Sequence, residues 1–277
     1  MSAPASVALI GDPVAGSLSP RMQRAAFAAA GLDLDYTSVR IGRAELAGAF
    51  PALSRRFLGL NVTRPLKEVV IPMLEAVSGP AAAAGSVNTV VFSGGAACGE
   101  STDGTGFLAA LARAWHSPVR RALILGTGGA ARAVAAALQS SGAAVAVAGR
   151  NTAAVERLRA DLGVTATATD TAALTAAVAE ADLLVNATPV GGEPAPVAMP
   201  LPDAVPLHPG LVVFDLVYRP RRTALLHRAA AAGCRTVEGI EMLIEQGARS
   251  FQLWTGCPAP VEAMRAAAYA GLAEATP

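Results

Sequence analysis

The sequence predicts an α/β protein. The first hundred residues form an α/β domain of their own, a Rossmann-type doubly wound sheet follows, and the helical tail could return to pack on the first domain. Two observations carry this. Short apolar runs alternate with helix-length segments along most of the chain, which predicts a parallel sheet covered on both faces. One stretch, Arg121 to Asn151, reads as strand, glycine turn, helix and second strand in direct succession. The length of 277 residues allows two domains, and 53% hydrophobic content lets each bury its own core.

In chain order, Val7 to Ile10 is a strand broken by Gly11, Asp12 and Pro13. A loop through Gly16 leads to a helix from Pro20 to Ala30, with Ser19 as its cap, Pro20 at its first position and Gly31 as its stop. Met22, Ala26, Phe27 and Ala30 form its apolar face. Leu34 to Ile41 is a strand, Ala44 to Leu53 a helix and Leu58 to Val62 a third strand. Thr63 and Pro65 open a short helix that Pro72 limits. Val87 to Phe92 and Ala97 to Glu100 form a hairpin through Ser93-Gly94-Gly95. Asp103 caps a helix from Gly104 to Trp115 that links to the next domain.

The stretch from Arg121 to Asn151 sets up the chemistry. Ala122 to Leu125 is a buried strand, Ala130 to Leu138 an alanine-rich helix ended at Gly142, and Ala143 to Ala148 the returning strand. Gly126 permits the tight turn, Gly128 lets backbone approach a pyrophosphate, and Ala131 lets the helix pack close to the sheet. Amides at the helix start, with Gly129 and Ala130, face the phosphates at the positive end of the helix dipole. The alternative is a purely structural turn; the place of the glycines between a strand and a helix, with a second strand returning at the right distance, favours the dinucleotide. Past the second strand an NAD site places a carboxylate, whereas this chain has Gly149, Arg150 and Asn151. A guanidinium suits a 2′-phosphate, so the cofactor reading is NADP(H) in preference to a solvated loop arginine.

The remaining chain alternates regularly. Helices fall at Thr152 to Leu162, Ala172 to Ala179 and Thr223 to Ala232, and strands at Val164 to Thr169, Asp182 to Ala187, Leu211 to Leu216 and Arg235 to Val237. Helices at Glu241 to Thr255 and Pro260 to Ala275 form the tail.

Bulk properties exclude several classes. A net charge of +1 with no basic run gives no footprint for nucleic acid or an anionic membrane. No apolar run reaches spanning length, and no signal peptide is recognisable at the start. Cys98, Cys234 and Cys257 are scattered, as expected of reduced thiols in a cytoplasmic protein rather than of a disulfide frame or a zinc site. No His/Cys cluster could hold a metal. His116, His208 and His227 are isolated and read as surface or loop residues.

Four polar clusters sit at strand ends or helix starts: Ser17 with Ser19; Asn61, Thr63 and Lys67; Asn88 and Thr89 with Asp103; and Tyr218 with Gln246. They offer hydroxyls, amides, one amine and one carboxylate, a set that suits a small polyhydroxylated acid. Each residue taken alone has a plainer reading: Ser19 and Asp103 as caps, Lys67 as a solvated lysine.

Taken together the motifs resemble the shikimate dehydrogenase family along essentially the whole chain. They are SLSP at Ser17, GLNVTRPLK at Gly59, GSVNT at Gly85, STDGTGF at Ser101, GTGGAAR at Gly126, NATPVG at Asn186, DLVYRPRRTALL at Asp215 and EGIEMLIEQGARSFQLWTG at Glu238. The resemblance implies a substrate-binding domain over 1–103 and 239–277 and an NADP-binding Rossmann domain over 104–238, with the site in the cleft between them. It implies reversible reduction of 3-dehydroshikimate to shikimate by NADPH. In that scheme Lys67 and Asp103 are the catalytic pair, and Ser17 and Ser19 hold the substrate carboxylate. Thr63, Asn88 and Gln246 meet ring hydroxyls, and Tyr218 lies near the carboxylate. Cofactor contacts fall at Gly126, Gly128, Gly129, Ala130, Arg150, Asn151, Thr188, Gly239 and Met242, the last equally readable as core packing. Hydride arriving at a carbonyl carbon leaves charge on oxygen, which a positioned acid such as a lysine ammonium neutralises. The partner is a small molecule, and the chain is a monomer or a homodimer.

Three places depart from the family pattern. Gln23-Arg24 stands where His-Asn is usual, Ser101 where asparagine is usual, and Gly149-Arg150-Asn151 where Asn-Arg-Thr is usual. The last keeps the arginine but narrows the margin over NAD. The alternatives are a dehydrogenase of the same family acting on quinate or an aminated shikimate, and a catalytically silent NADP-binding regulator.

Overall fold

The computed structural model describes residues 6–274. The chain divides into two compact units, Met1–Gly106 with Leu243–Pro277, and Phe107–Met242.

The first unit holds a six-stranded mixed sheet. Its strands are β1 (Ser6–Gly11), β2 (Asp35–Arg40), β3 (Gly59–Val62), β4 (Ala76–Val77), β5 (Thr89–Ser93) and β6 (Ala96–Glu100), in the order β2-β1-β3-β5-β6-β4. β1 runs parallel to β2 and β3, and β5 is antiparallel to β3 and β6. The β5–β6 hairpin closes on Gly94 and Gly95, at φ 60° and 86°, which is the twist a two-residue hairpin turn needs. Alternation along the strands sorts the two faces. Ala8, Ile10, Leu60, Val62 and Val90 face an apolar core with Leu46, Phe50 and Leu53 of α2 (Arg43–Arg56). Asn61 and Thr89 take the opposite face.

Helices α1 (Ser19–Ala29), α3 (Gly79–Ala84) and the first residues of α4 (Asp103–Ala114) also belong to this unit, as do most of α9 (Gly239–Thr255) and α10 (Val261–Ala273). The C-terminal helices therefore pack with the first hundred residues. Gly247 in α9 leaves room for α1, since a Cβ there would lie 2.3 Å from Met22 Cε. The helix expected to reach Ala275 is described to Ala273, and Ala275 lies outside the described residues.

The second unit is an all-parallel sheet of β7 (Arg121–Leu125), β8 (Ala144–Ala148), β9 (Thr165–Thr167), β10 (Leu183–Asn186), β11 (Val212–Asp215) and β12 (Arg235–Glu238). The order β12-β11-β10-β7-β8-β9 is the doubly wound arrangement, with its switch point between β7 and β10. Ala122, Ile124, Leu183, Val185, Val212 and Phe214 pack on one face, Leu123, Leu125, Leu184 and Val213 on the other. Helices α5 (Gly129–Ser140), α6 (Thr152–Leu162), α7 (Thr171–Glu180) and α8 (Ala224–Ala231) complete it.

Four local expectations are corrected. Ser19 is not a cap: Leu18 occupies that position with no side-chain bond, and Ser19 is already helical and buried. Ala30 is exposed rather than part of the apolar face of α1. Thr63 to Lys67 opens no helix. The segment is a run of turns ending in a 3-10 turn at Ile71–Met73, because its carbonyls are taken by distant partners: Arg64 O by Asp12 N and Lys67 O by Val87 N. Asp103 is not an N-cap either; the Thr102 carbonyl takes the first helical N–H, from Gly106, and the Asp103 carboxylate points elsewhere. The short β4 and α3 were not anticipated, although Ser78 caps α3 and Gly85 ends it in the left-handed conformation.

Candidate active site

On the face of the first sheet opposite its apolar core, β3 and β5 present polar groups where α9 lies across them. Along α9, Gln246, Ser250 and Trp254 are four residues apart and share one stripe. Trp254 Nε1 donates to Val90 O, packing so tightly that a Cβ at Gly59 would lie 2.3 Å from it. Ser250 Oγ lies 2.8 Å from Thr89 Oγ1 and 3.2 Å from Thr102 Oγ1, and accepts from Asn61 Nδ2 at 3.2 Å. Gln246 Oε1 accepts from Asn88 Nδ2 at 3.2 Å. Gly106 permits the approach of α4 to α9, since a Cβ there would sit 2.5 Å from Gln246 N.

The charged pair closes this network. Lys67 Nζ hydrogen-bonds one oxygen of Asp103, and Asn88 Nδ2 donates to the other at 2.8 Å. The Lys67 side chain is 18% exposed and that of Asp103 6%. Asn88 is itself fixed, its Oδ1 accepting from Thr102 N at 2.7 Å. The lysine side chain thus keeps some access to solvent while the carboxylate is almost wholly enclosed, and the bond between them is charge-assisted. At the other end Tyr36 O–H donates to Asn61 Oδ1 at 2.7 Å. Burial pushes the Tyr36 hydroxyl well above the usual tyrosine pKa, and the neighbouring Ser19 hydroxyl acts in the opposite sense.

Lys67, Asp103, Asn88 and Gln246 thus converge in one hydrogen-bonded cluster. Ser17 Oγ accepts from Ser19 N at 3.2 Å, so the two hydroxyls share one turn at the head of α1. Thr63 follows β3 and is half-buried, against Gly11, where a Cβ would lie 2.4 Å from Thr63 Cγ2. Tyr218, in the second unit, is half-buried just past β11. The sequence reading missed Thr102, Ser250 and Tyr36. Thr102 adjoins Asp103 in the motif, and Ser250 stands four residues past Gln246, so helical spacing pointed to it.

The departures from the family pattern are accommodated unevenly. Gln23 is fully buried and donates to Gly247 O at 2.9 Å, with its Oε1 unpartnered. Arg24 pairs at the surface with Asp35. Ser101 is buried with no partner for its hydroxyl.

In the second unit the glycine turn joins β7 to α5. Gly126 has φ 119° and a Cβ there would meet Ala187 backbone at 2.9 Å, so only glycine fits. Gly128 is exposed, with φ −81° and no atom within 4 Å of a Cβ position. Packing and backbone conformation thus do not demand glycine there, whereas a phosphate approaching the backbone does. Gly129 and Ala130 begin α5, whose first amides have no helical partner. Arg150 is exposed and pairs with no other described residue. Asn151 caps α6 through Ala154 N at 3.1 Å. Thr188 lies beside Gly126, its Cγ2 3.2 Å from the Cβ position there. Gly239 starts α9 against β11's end, where a Cβ would lie 2.5 Å from Leu216 O. Met242 is 7% exposed and packs in the core with Phe107 and Phe214. These residues fit a dinucleotide whose 2′-position carries a phosphate.

A doubly wound sheet with a bare glycine turn at its switch point, in a chain whose other unit carries a partly buried, ion-paired lysine, defines a dinucleotide-dependent dehydrogenase. Comparison with known proteins narrows the class. Residues 9–90 match the shikimate dehydrogenase substrate binding domain, 110–193 the shikimate/quinate 5-dehydrogenase family, and 239–269 the shikimate 5′-dehydrogenase C-terminal domain. The chain is 45% identical over 271 residues to the shikimate dehydrogenase (NADP(+)) of Methanopyrus kandleri, covering 94% of this chain and 93% of that one. The crystal structure of shikimate 5-dehydrogenase from Thermus thermophilus in complex with NADP(H) and shikimate superimposes with a TM-score of 0.88 at 40% identity, over 96% and 99% of the two chains. The quinate dehydrogenase of Corynebacterium glutamicum in complex with NAD gives 0.85 at 31% identity, over 96% and 99%. The chain belongs to the shikimate dehydrogenase family. Among the described residues no helix is long and apolar enough to cross a membrane.

Proposed function

We propose that this chain catalyses the reversible, NADPH-dependent reduction of 3-dehydroshikimate to shikimate. The observation that carries the reading is the Lys67–Asp103 pair, held by Asn88 within a network of hydroxyls and amides suited to a hydroxylated ring acid. Bound NADPH supplies a hydride to the carbonyl carbon. Lys67 Nζ gives its proton to the oxygen as charge develops there, and takes it back in the oxidative direction. Asp103 orients that amine and balances its charge. Ser17 and Ser19 hold the carboxylate, Thr63, Asn88 and Gln246 meet the ring hydroxyls, and Tyr218 lies near the carboxylate.

On this reading residues 1–103 with 239–277 bind substrate and 104–238 bind the cofactor. The amides around Gly126, Gly128, Gly129 and Ala130 cradle the pyrophosphate. Arg150 meets the 2′-phosphate beside Asn151, while Thr188, Gly239 and Met242 complete the cofactor contacts. The protein works in the cytoplasm as a monomer or a homodimer.

The test is a four-way assay of purified protein, shikimate or quinate with NADP+ or NAD+, following the absorbance of the reduced nicotinamide. Shikimate with NADP+ gives the highest kcat/KM. Quinate with NAD+ in first place would replace the substrate and the role of Arg150. No turnover with any pair would leave a silent NADP-binding protein.

A further inference from the structure

Asp215 ends β11 and is fully buried, yet among the described residues no cation pairs with it. It is held by three donors: Thr223 Oγ1 at 2.6 Å, Asn186 Nδ2 at 2.8 Å and the Val217 N–H at 3.0 Å. A carboxylate so placed is costly to bury, and burial pushes its pKa up to about 6 against those three hydrogen bonds. The catalytic scheme above gives it no task.

The hydrogen bonds beyond Asp215 supply one. Asn186 lies opposite it in the β10–β11 register. Both hydrogens of the Asn186 amide are used, one on Asp215 and one on Val190 O at 3.0 Å. Its Oδ1 then faces Thr188, accepting from Thr188 N at 3.1 Å and Thr188 Oγ1 at 2.7 Å. Thr188 Oγ1 in turn accepts from Val190 N at 3.1 Å. An ionised carboxylate can only accept. Together with Val190 O, which also only accepts, it fixes which end of the Asn186 amide points back, and so which end meets Thr188. Thr188 stands against the glycine turn, next to Gly126.

We propose that Asp215 is a positioning residue for the dinucleotide: by fixing the Asn186 amide it sets the direction of the Thr188 hydroxyl and the course of residues 187–190 beside the glycine turn. The proposal rests on the reading that this turn binds NADP(H). It assigns Asp215 and Asn186 to cofactor binding although neither need touch the cofactor.

The experiment titrates NADPH fluorescence with the purified full-length chain in the absence of substrate, then measures KM for NADP+ and for shikimate. Asp215→Ala weakens NADPH binding about ten-fold, the scale of one lost hydrogen bond, and raises KM for NADP+ in parallel. KM for shikimate moves less than about three-fold, below that same scale. Asn186→Ala breaks the relay while leaving the other two bonds of Asp215, and shows the same split should Asp215→Ala fail to fold. Asp215→Asn restores binding: its oxygen meets the two donors Asn186 and Val217, and its amide faces Thr223. Thr223→Val, which removes the Asp215 bond on the far side together with the cap that Thr223 Oγ1 gives the Leu226 N–H of α8, leaves NADPH affinity unchanged. Wild type that fails to bind NADPH refutes the cofactor reading itself and this proposal with it. Wild type that binds while Asp215→Ala and Asn186→Ala bind as tightly overturns the relay alone. Equal losses for NADPH and shikimate overturn it too, by making the effect general.

Discussion

The buried carboxyl of Asp215 also makes stability depend on pH in a calculable way. Desolvation raises its folded-state value to about 6 from 3.8. The folded chain therefore holds this proton more tightly than the unfolded chain does. The stabilisation this group contributes is fully present below the unfolded value and is lost as pH rises through the folded one. Over the whole window the loss is about 3 kcal/mol, at about 1.4 kcal/mol per pKa unit. Between about pH 5 and about pH 8 roughly 1.4 kcal/mol of it is expressed, since near pH 5 the folded group is mostly protonated and the unfolded group mostly ionised. Urea unfolding at both pH values, for wild type and Asp215→Asn, isolates this term. Other titrating groups contribute equally to both proteins and cancel in the double difference. The asparagine variant should lose about 1.4 kcal/mol less than wild type on going from the lower to the higher pH. A double difference near zero, or of opposite sign, would refute the claim that an unpaired carboxylate is buried there.

Three further outcomes are expected. Lys67→Ala lowers kcat by about 10²- to 10⁴-fold, the usual worth of a positioned acid, with NADPH affinity unchanged in fluorescence titration; a variant keeping most of its kcat would remove Lys67 from the chemistry. Gly106→Ala puts a Cβ 2.5 Å from Gln246 N, a backbone atom that cannot swing away. It should destabilise by about 1–3 kcal/mol in thermal melts and raise KM for shikimate by displacing Gln246. Arg150→Ala should raise KM for NADP+ about ten- to a hundred-fold, as for a lost charge-assisted hydrogen bond, and leave KM for NAD+ in place. An equal rise for both cofactors would mean that Arg150 does not read the 2′-phosphate.

Much of the architecture was legible because it rests on local pattern. The central strands of the second unit, β7, β8, β10 and β11, are short apolar runs whose successive residues enter opposite cores, as Ile124 and Leu125 do. The hairpin was legible in Gly94 and Gly95, and α6 in the helix-length run from Thr152 to Leu162. What escaped was decided by distant partners. Thr63 to Val70 carries helix-like signals, but Asp12 and Val87 claim its carbonyls. Asp103 has the residue type and place of a cap, yet Lys67, far off in sequence, takes its carboxylate. Ser250 and Asp215 look ordinary in a helix and at a strand end, and only the fold brings them to Thr102 and Asn186. Lys67, Asn88 and Gln246 were legible through their motifs, and the structure adds that one hydrogen-bonded cluster contains them all.

The discontinuity of the first unit bears on how the chain is made. A ribosome completes Phe107–Met242 as one uninterrupted stretch, so its parallel sheet can close as soon as β12 emerges. The first sheet must wait, because the polar side of β3 and β5 has no cover until α9, which follows β12 in the chain, has been made. The chain carries two tryptophans, Trp115 in the uninterrupted unit and Trp254 in the other, the latter 6% exposed and bonded to Val90 O. Each unit thus contains its own fluorophore. Replacing either by phenylalanine turns the remaining indole into a private clock for one unit, and the order in which the two signals appear during refolding reads out which half of the chain waits for the other.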